Sequence, residues 1–390
     1  MNALPVRTEA EQALGFDLPH RRMEEWRWTD LRQLVDRPYP PRQKEVAAAG
    51  DVERLLASSL FRNVAATRMV FVNGEYDAAH SRMANGWVES RIPMEDPLVR
   101  LNTSFATDGA RLKFEGNTDT PVELVFIATD AAPRMLATHN VIEVADNSSA
   151  TLIETHLGAG TYLSSSITEI RVGHGARLDR VKSEIEAPGA THLAHADVTL
   201  AHSATLRDFT LTTGARVNRQ NGTYRFAGEY ADARVSGAYL LAGRQHADTR
   251  LVVDHQLANC VSRELFKCVL GEQARGIFQG KVIVRPGAQK TDGKQSSHAL
   301  LLSGTAEFDA KPELEIYADD VACGHGATAG ELNHDHLFYL KSRGIPEAEA
   351  KALLIAAFAG EAFETIHHDG LREALTAFAA HWLTQHRRAS

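Results

Sequence analysis

Three cysteines in 390 residues, Cys260, Cys268 and Cys323, are poor material for stapling a chain. A disulfide framework needs pairs, so an odd and sparse set fits a reducing compartment. Long apolar runs are missing too: no stretch of about 18 residues or more is apolar enough to span a bilayer. The N-terminus, MNALPVRTEAEQALGF, lacks a basic segment leading into an apolar one, which argues against a secretory signal. An excess of positive charge is also absent. With 42 Lys and Arg against 50 Asp and Glu the net charge is −8, the wrong sign for a chain that mainly grips phosphate backbones. What remains, 44% apolar and 24% charged residues, is the balance of an ordinary globular protein. These features predict a soluble cytoplasmic protein, and its 18 histidines leave metal chemistry open.

Three regions separate by pattern. Residues 1–67 read as helix fragments, TEAEQAL and EEWRWTDLRQLVD, followed by the breaker run RPYPPRQ at 37–43. Prolines at 38, 40 and 41 cannot sit inside a helix, so this run is a linker or an extended arm. Residues 68–330 read as a strand-rich core, opening with RMVFVNG and most regular from about 121. Short alternating runs such as NVIEVAD, TLIETHL, RLVVDHQ and KVIVRP are bounded by small or glycine-bearing turns.

A loose repeat links these runs. Ser149–Leu152, Gly175–Leu178, Ser203–Leu206 and Asp232–Val235 share a small–Ala–polar–apolar signature, with the alanines 26, 28 and 29 residues apart. A period in the twenties with strands and no helices predicts a stacked parallel β-solenoid, because one coil cannot bury its apolar face alone. A β-sandwich competes, since its strands recur at similar intervals, and an extra copy at Gly214-Ala215 breaks the period. Residues 331–390 turn helical. DHLFYLKSRG closes on Gly344, and a second helix opens at Pro346 with Glu347 and Glu349 near its positive end. The last, LREALTAFAAHWL, puts Leu371, Leu375, Phe378 and Trp382 on one stripe. Such helices cap the open end of a solenoid or dock a partner.

Catalytic signatures are scarce. Gly287 and Gly293-Lys294 in RPGAQKTDGKQ imitate a phosphate-binding loop, but the spacing is one residue too long and Gln295 stands where Ser or Thr should hold magnesium. If ATP drives this system, another chain hydrolyses it. No Gly-x-Ser-x-Gly elbow occurs, and no triad surrounds His246 or His255. Asp319 and Asp320 are adjacent, so on a strand they point to opposite faces, the wrong arrangement for the paired carboxylates of a self-sufficient β-helical glycosidase.

One pair has metal-binding character. Cys323 and His325 lie two apart in ADDVACGHG, on one face of a strand, where thiolate and imidazole suit a soft or borderline metal. Glu331, His334, Asp335 and His336 follow within eleven residues of His325. Four ligands at zinc-finger spacing are absent, so the pair reads either as packed or exposed side chains or as an incomplete site that a second subunit completes. Cys260 and Cys268, eight apart, read as core packing. Leu354, Phe358 and Phe363, with Ile355 and Ile366 nearby, form an apolar helix face that either buries against the solenoid or docks a partner.

The segments GRQHADTRLVVDHQLANCVSRELFK (243–267), GIFQGKVIVRPGAQKTDGKQSSHALLLS (276–303) and the stretch from KPELEIYADDVACGHGAT onward (311–366) closely resemble the SufB/SufD family, a likeness covering nearly all of residues 120–370. The short N-terminus and EEWRWTDL (24–31) resemble the SufD branch. The resemblance implies a mainly β protein, with a right-handed parallel β-helix core between helical N- and C-terminal regions. It further implies a non-catalytic scaffold for iron–sulfur cluster assembly, in a cytoplasmic complex with a SufB-like paralogue and the ABC ATPase SufC. His325 matches the family's proposed ligand at the SufB–SufD interface, where a transient iron–sulfur cluster or iron would be shared. Cys323 sits in the same motif. The resemblance assigns the apolar face of Leu354, Phe358 and Phe363 to SufC docking. A homodimeric scaffold without SufB is the alternative within the family. A flavin stays open as a cofactor, since the sequence does not decide it.

Overall fold

A computed structural model describes residues 7–41, 47–129 and 133–386. Its N-terminal part holds α1 (Glu9–Leu14), a 3-10 turn at Glu24–Trp26, α2 (Leu31–Leu34) and α3 (Ala49–Ser58). Next come β1 (Thr67–Val72), β2 (Glu75–Tyr76), α4 (Pro97–Phe105) and β3 (Arg111–Phe114). A long run of strands follows: β4 (Val122–Ala128), β5 (Met135–Val144), β6 (Ser149–Gly158), β7 (Leu163–Val172) and β8 (Arg177–Ile185). It continues with β9 (Thr191–Leu200), β10 (Thr205–Thr212), β11 (Val217–Phe226), β12 (Asp232–Leu241) and β13 (His246–His255). Then come β14 (Val261–Leu270), β15 (Arg275–Val284), β16 (Asp292–Leu301), β17 (Glu307–Ile316) and β18 (Ala322–Gly330). Helices α5 (His334–Ser342), α6 (Glu347–Phe363) and α7 (Asp369–Gln385) complete the order.

Even-numbered strands from β4 to β18, with β1 and β2, make a ten-stranded sheet, and the odd strands from β3 to β17 make an eight-stranded one. The β1–β2 pairing is antiparallel, whereas the solenoid strands pair in parallel. Successive strands alternate between the sheets, so the chain winds into a parallel β-solenoid of about seven coils. The antiparallel sandwich is thereby excluded.

The register corrects the phase of the alanine repeat. Arg177 lies beside Thr205, and Thr205 beside Asp232, so these coils take 28 and 27 residues. Ala150 and Ala233 each align with a leucine of the intervening coils, Leu178 and Leu206, two positions beyond Ala176 and Ala204. The turns absorb the variable lengths, which is why a strict sequence period blurs.

Within each strand alternate residues face the lumen, where Leu178, Leu206, Phe226, Phe266 and Phe278 belong to one continuous apolar core. Both outer faces are apolar as well and are covered. Leu14, Leu18, Trp26, Leu31 and Leu98 pack over Leu163 and Leu193 of the eight-stranded sheet. On the other side Ile355, Ala359, Phe363, Leu371 and Leu375 pack over Phe209, Leu240 and Val269. The C-terminal helices therefore lie along the flank of the solenoid, against the expectation that they cap its end. The reason is chemical: the outer face of β10, β12 and β14 carries apolar residues that need cover.

The helix expected over 24–36 also breaks up. Trp26 is buried with the Arg219 guanidinium 4.3 Å from its ring centre, and the Thr29 hydroxyl bonds His246 and Asp248. These tertiary contacts fix a 3-10 turn, and Asp30 then caps the single turn of α2. Pro41 forms an isolated bridge to Met135, so the proline-rich run is an extended arm; its last two residues, 42 and 43, lie outside the described residues.

The lumen also contains buried charge. Arg180, 4% exposed, is held by Glu154 at 2.7 Å and Asp208 at 2.9 Å, and Tyr224 donates to Asp208 at 2.9 Å. Arg180→Leu leaves two carboxylates without their cation, so a loss of about 3–5 kcal/mol is expected in urea unfolding. A change near zero would mean that water already satisfies them. Further along, His192 bridges Glu184 at 3.0 Å and Glu186 at 2.7 Å. Burial alone would lower its pKa, but Glu186 and Glu184 outweigh that and raise it to about 9. Its contribution to stability is complete below the unfolded value near 6.5 and is lost as pH rises through about 9. His192→Gln should flatten the fall in thermal midpoint across that window. An unchanged slope would show that His192 is neutral in the fold.

Candidate functional site

The solenoid ends on two strands with one neighbour each: β17 pairs with β15, and β18 pairs with β16. Their far edges leave a row of backbone N–H and C=O groups without strand partners, the feature that makes a sheet edge a template for another chain. Pro312 interrupts the donors of β17, and β18 reads ACGHGATAG, almost bare of side chains. At Gly324 and Gly326 a Cβ would meet nothing within 4 Å, so an approaching backbone finds open space there.

Cys323 and His325 stand on this last strand. Register places Cys323 beside Gly293 and His325 beside Gln295. Cys323 is half-buried and packs against the lumen core, and His325, on the same face two residues on, is exposed at the mouth. Burial raises the Cys323 thiol pKa, and the Asp292 and Glu264 carboxyls push it further up, against a backbone N–H of Gly293 that lowers it. The thiol is thus protonated at neutral pH, and a bound metal would have to displace that proton. Glu331 lies beyond β18, and His334, Asp335 and His336 occupy the exposed first turn of α5, where Asn333 caps the backbone. Among the described residues no group of three or more His, Cys, Asp and Glu side chains is arranged to hold a metal ion. The site offers two ligands on an open edge, which suits a metal only with ligands from elsewhere.

The other candidates separate clearly. Cys260 and Cys268 are buried, and burial raises both thiol pKa values, Cys268 far above the ordinary value. His246 and His255 are buried too, and desolvation lowers each to about 4. Gly287 lies in the turn between β15 and β16, while Gly293 and Lys294 lie within β16, so no helix follows to receive phosphate. Of the supposed docking face, Phe363 is buried edge-on against Phe209, 5.6 Å between centres, and Phe358 packs under the Lys267 amine at 4.6 Å. Leu354 is half-buried. The exposed apolar side chains of these helices are Phe338, Tyr339 and Leu353.

Two further residues of the end coils were not connected with Cys323 and His325 in the sequence, Glu264 not at all and Gln295 only as part of the rejected phosphate loop. Glu264 and Gln295 stand in the same cross-strand row as His325, which the register reads as Val235, Glu264, Gln295, His325. The steps of one coil between them were the available signal.

Residues 126–358 match the family model described as SUF system FeS cluster assembly, SufBD core domain. The chain is 31% identical to the iron–sulfur cluster assembly protein SufD of Escherichia coli over 385 residues, covering 94% of this chain and 90% of that protein. An iron–sulfur cluster assembly SufBD family protein of Synechocystis is 30% identical, with 92% and 86% covered. SufD of Bacillus subtilis is 26% identical, with 73% and 66% covered.

Proposed function

Because this chain belongs to the SufBD family of iron–sulfur cluster assembly proteins, we propose that it is a scaffold subunit on which a cluster is built at the open end of the solenoid. The observation that carries this reading is the placement of Cys323 and His325 together on the lumen face of the last strand, whose far edge has no strand partner. Two ligands on an edge make half a site. A SufB-like paralogue, pairing with β17 and β18, would bring the rest. Iron and sulfide-bridged iron are cargo here. Thiolate and imidazole suit them, and an incomplete protein shell lets a finished cluster pass to an acceptor.

The energy comes from another chain in this reading, a SufC-like ABC ATPase in the same cytoplasmic complex. No helix among the described residues is long and apolar enough to cross a membrane. The exposed Phe338, Tyr339 and Leu353 of α5 and α6, with Leu354 beside them, offer the ATPase a docking face, whereas Phe363 is held by the solenoid. Closure of an ATPase dimer would pull on these helices and shift the interface at the end coil, a coupling through a bistable interface. The unpaired edges also favour a second reading, a homodimer in which the same strands pair across a two-fold axis.

The test is co-purification of this chain with its SufB-like and SufC-like partners, followed by anaerobic reconstitution with iron and sulfide. His325→Ala should cut cluster absorbance about tenfold or more while the complex stays intact, since an exposed side chain contributes little to the fold. Loss of the complex would make His325 structural. A chain that ignores both partners and self-associates would favour the homodimer.

A further inference from the structure

Neither buried carboxylate oxygen of Glu264, a residue only 2% exposed, has a partner within hydrogen-bond distance, and the nearby Ser262 and Arg263 favour its ionised form too weakly to offset its burial. An isolated buried acid costs several kcal/mol unless it is protonated or paired, so its presence in the lumen calls for a reason. The row on which it stands shows what pairing looks like. Arg180 and Asp208 are neighbours in that row and form an ion pair, and Val235 then separates Asp208 from Glu264. Arg263, the adjacent cation in sequence, is engaged by Asp292 at 2.5 Å and by the Ser262 and Asp292 carbonyls.

Toward the open end the same row continues through Gln295 to His325. The Gln295 Oε1 is likewise buried and unpartnered, while its Nε2 donates to the Gly280 carbonyl at 3.3 Å. A Cβ at Gly280 would run into the Gln295 side chain, so the glycine opposite makes room for it. Nearby, Ser262 is bonded to His255 Nε2 at 3.1 Å, and His255 Nδ1 is unpartnered. The end of the lumen therefore carries a file of polar atoms without partners directly behind the strand that holds Cys323 and His325.

We propose that Glu264 is a charge-compensating carboxyl of the end coil, supplying negative charge from within the lumen to a divalent cation held at Cys323 and His325. Burial raises its pKa to about 8, so the empty chain holds it neutral at pH 7. Gln295 alone stands between it and His325 in the row, so positive charge bound at the end strand would favour its ionised form. The lost proton goes to water at the open mouth. The role rests on the reading that Cys323 and His325 bind metal.

Glu264→Gln and Glu264→Leu, in this chain in complex with its SufB-like paralogue, separate this role from packing. Cobalt(II) is the probe, read by its thiolate charge-transfer band, with thermal unfolding measured alongside. Both variants should unfold at a higher temperature, because a buried acid without a partner is removed, and should bind cobalt about tenfold more weakly. Cobalt affinity within twofold of wild type would reduce Glu264 to a tolerated buried acid and overturn the proposal. A lower unfolding temperature in both variants would make it a structural group, with the same consequence. If the wild-type complex shows no thiolate–cobalt band, or Cys323→Ser leaves its cobalt affinity unchanged, the Cys323–His325 site itself falls and this role goes with it.

Discussion

The constraint on which everything else depends is the register of parallel strands one coil apart. Each inner solenoid strand is hydrogen-bonded to the strands two before and two after it in sequence, so a residue stacks on its counterparts 26 to 32 positions away. Stacking places side chains in rows at the inter-strand spacing of about 4.8 Å, and a row can be uniform or can change character along its length. The row that contains Arg180 and Asp208 closes an ion pair in the middle of the solenoid and arrives at His325 at its end. Coil stacking satisfies backbone groups everywhere except at the ends. Along the axis, then, the end coil is where this architecture is chemically unfinished.

The terminal regions follow from the same geometry. Two sheets have two outer faces, and here both are apolar enough to demand cover. The first N-terminal segments and α4 cover one face, and α3 with the C-terminal helices the other; Glu24 reaches Lys311 of β17, but the far edges of β17 and β18 stay without a strand. Natural edge strands are usually blunted, and this end shows the usual devices: Pro312 and charged side chains on β17, and a glycine-rich β18. These discourage indiscriminate strand addition without covering the edge. An end that is exposed yet poor as a generic template fits a particular partner better than aggregation.

Much of this was legible in the sequence, and the failures are instructive. Alternation in runs such as NVIEVAD identified strands, and a period in the twenties without helices identified coils. The phase of the repeat was misread because alanine fits two different rows, the turn row of Ala176 and Ala204 and the lumen row of Ala150 and Ala233. The stretch around Trp26 carries a helical pattern, but contacts to Arg219, His246 and Asp248, some two hundred residues away, decide its shape. Phe363 stayed open between burial and docking because nothing local shows that the outside of β10 needs covering. The Cys-x-His pair was visible at two-residue spacing on one strand. Glu264 was invisible, since its oddness lies in what fails to surround it, and that requires the register of three strands.

On the scaffold reading, placing ligands on a strand with one free edge has a consequence for assembly. A closed four-ligand site holds its metal whether or not anything else is bound, because one chain fixes all the geometry. Two ligands on an edge would fix only half of it, and the remaining geometry would exist only once another strand was registered against β18. Pairing and ligand formation then become one event, with the same hydrogen-bond ladder that stacks the coils extended by one more strand. A shift of that register by one residue would turn the partner's ligands to the opposite face and dissolve the site. On the scaffold reading, small movements of the interface are sufficient to switch between a state that gathers iron and one that gives it up, without unfolding either solenoid.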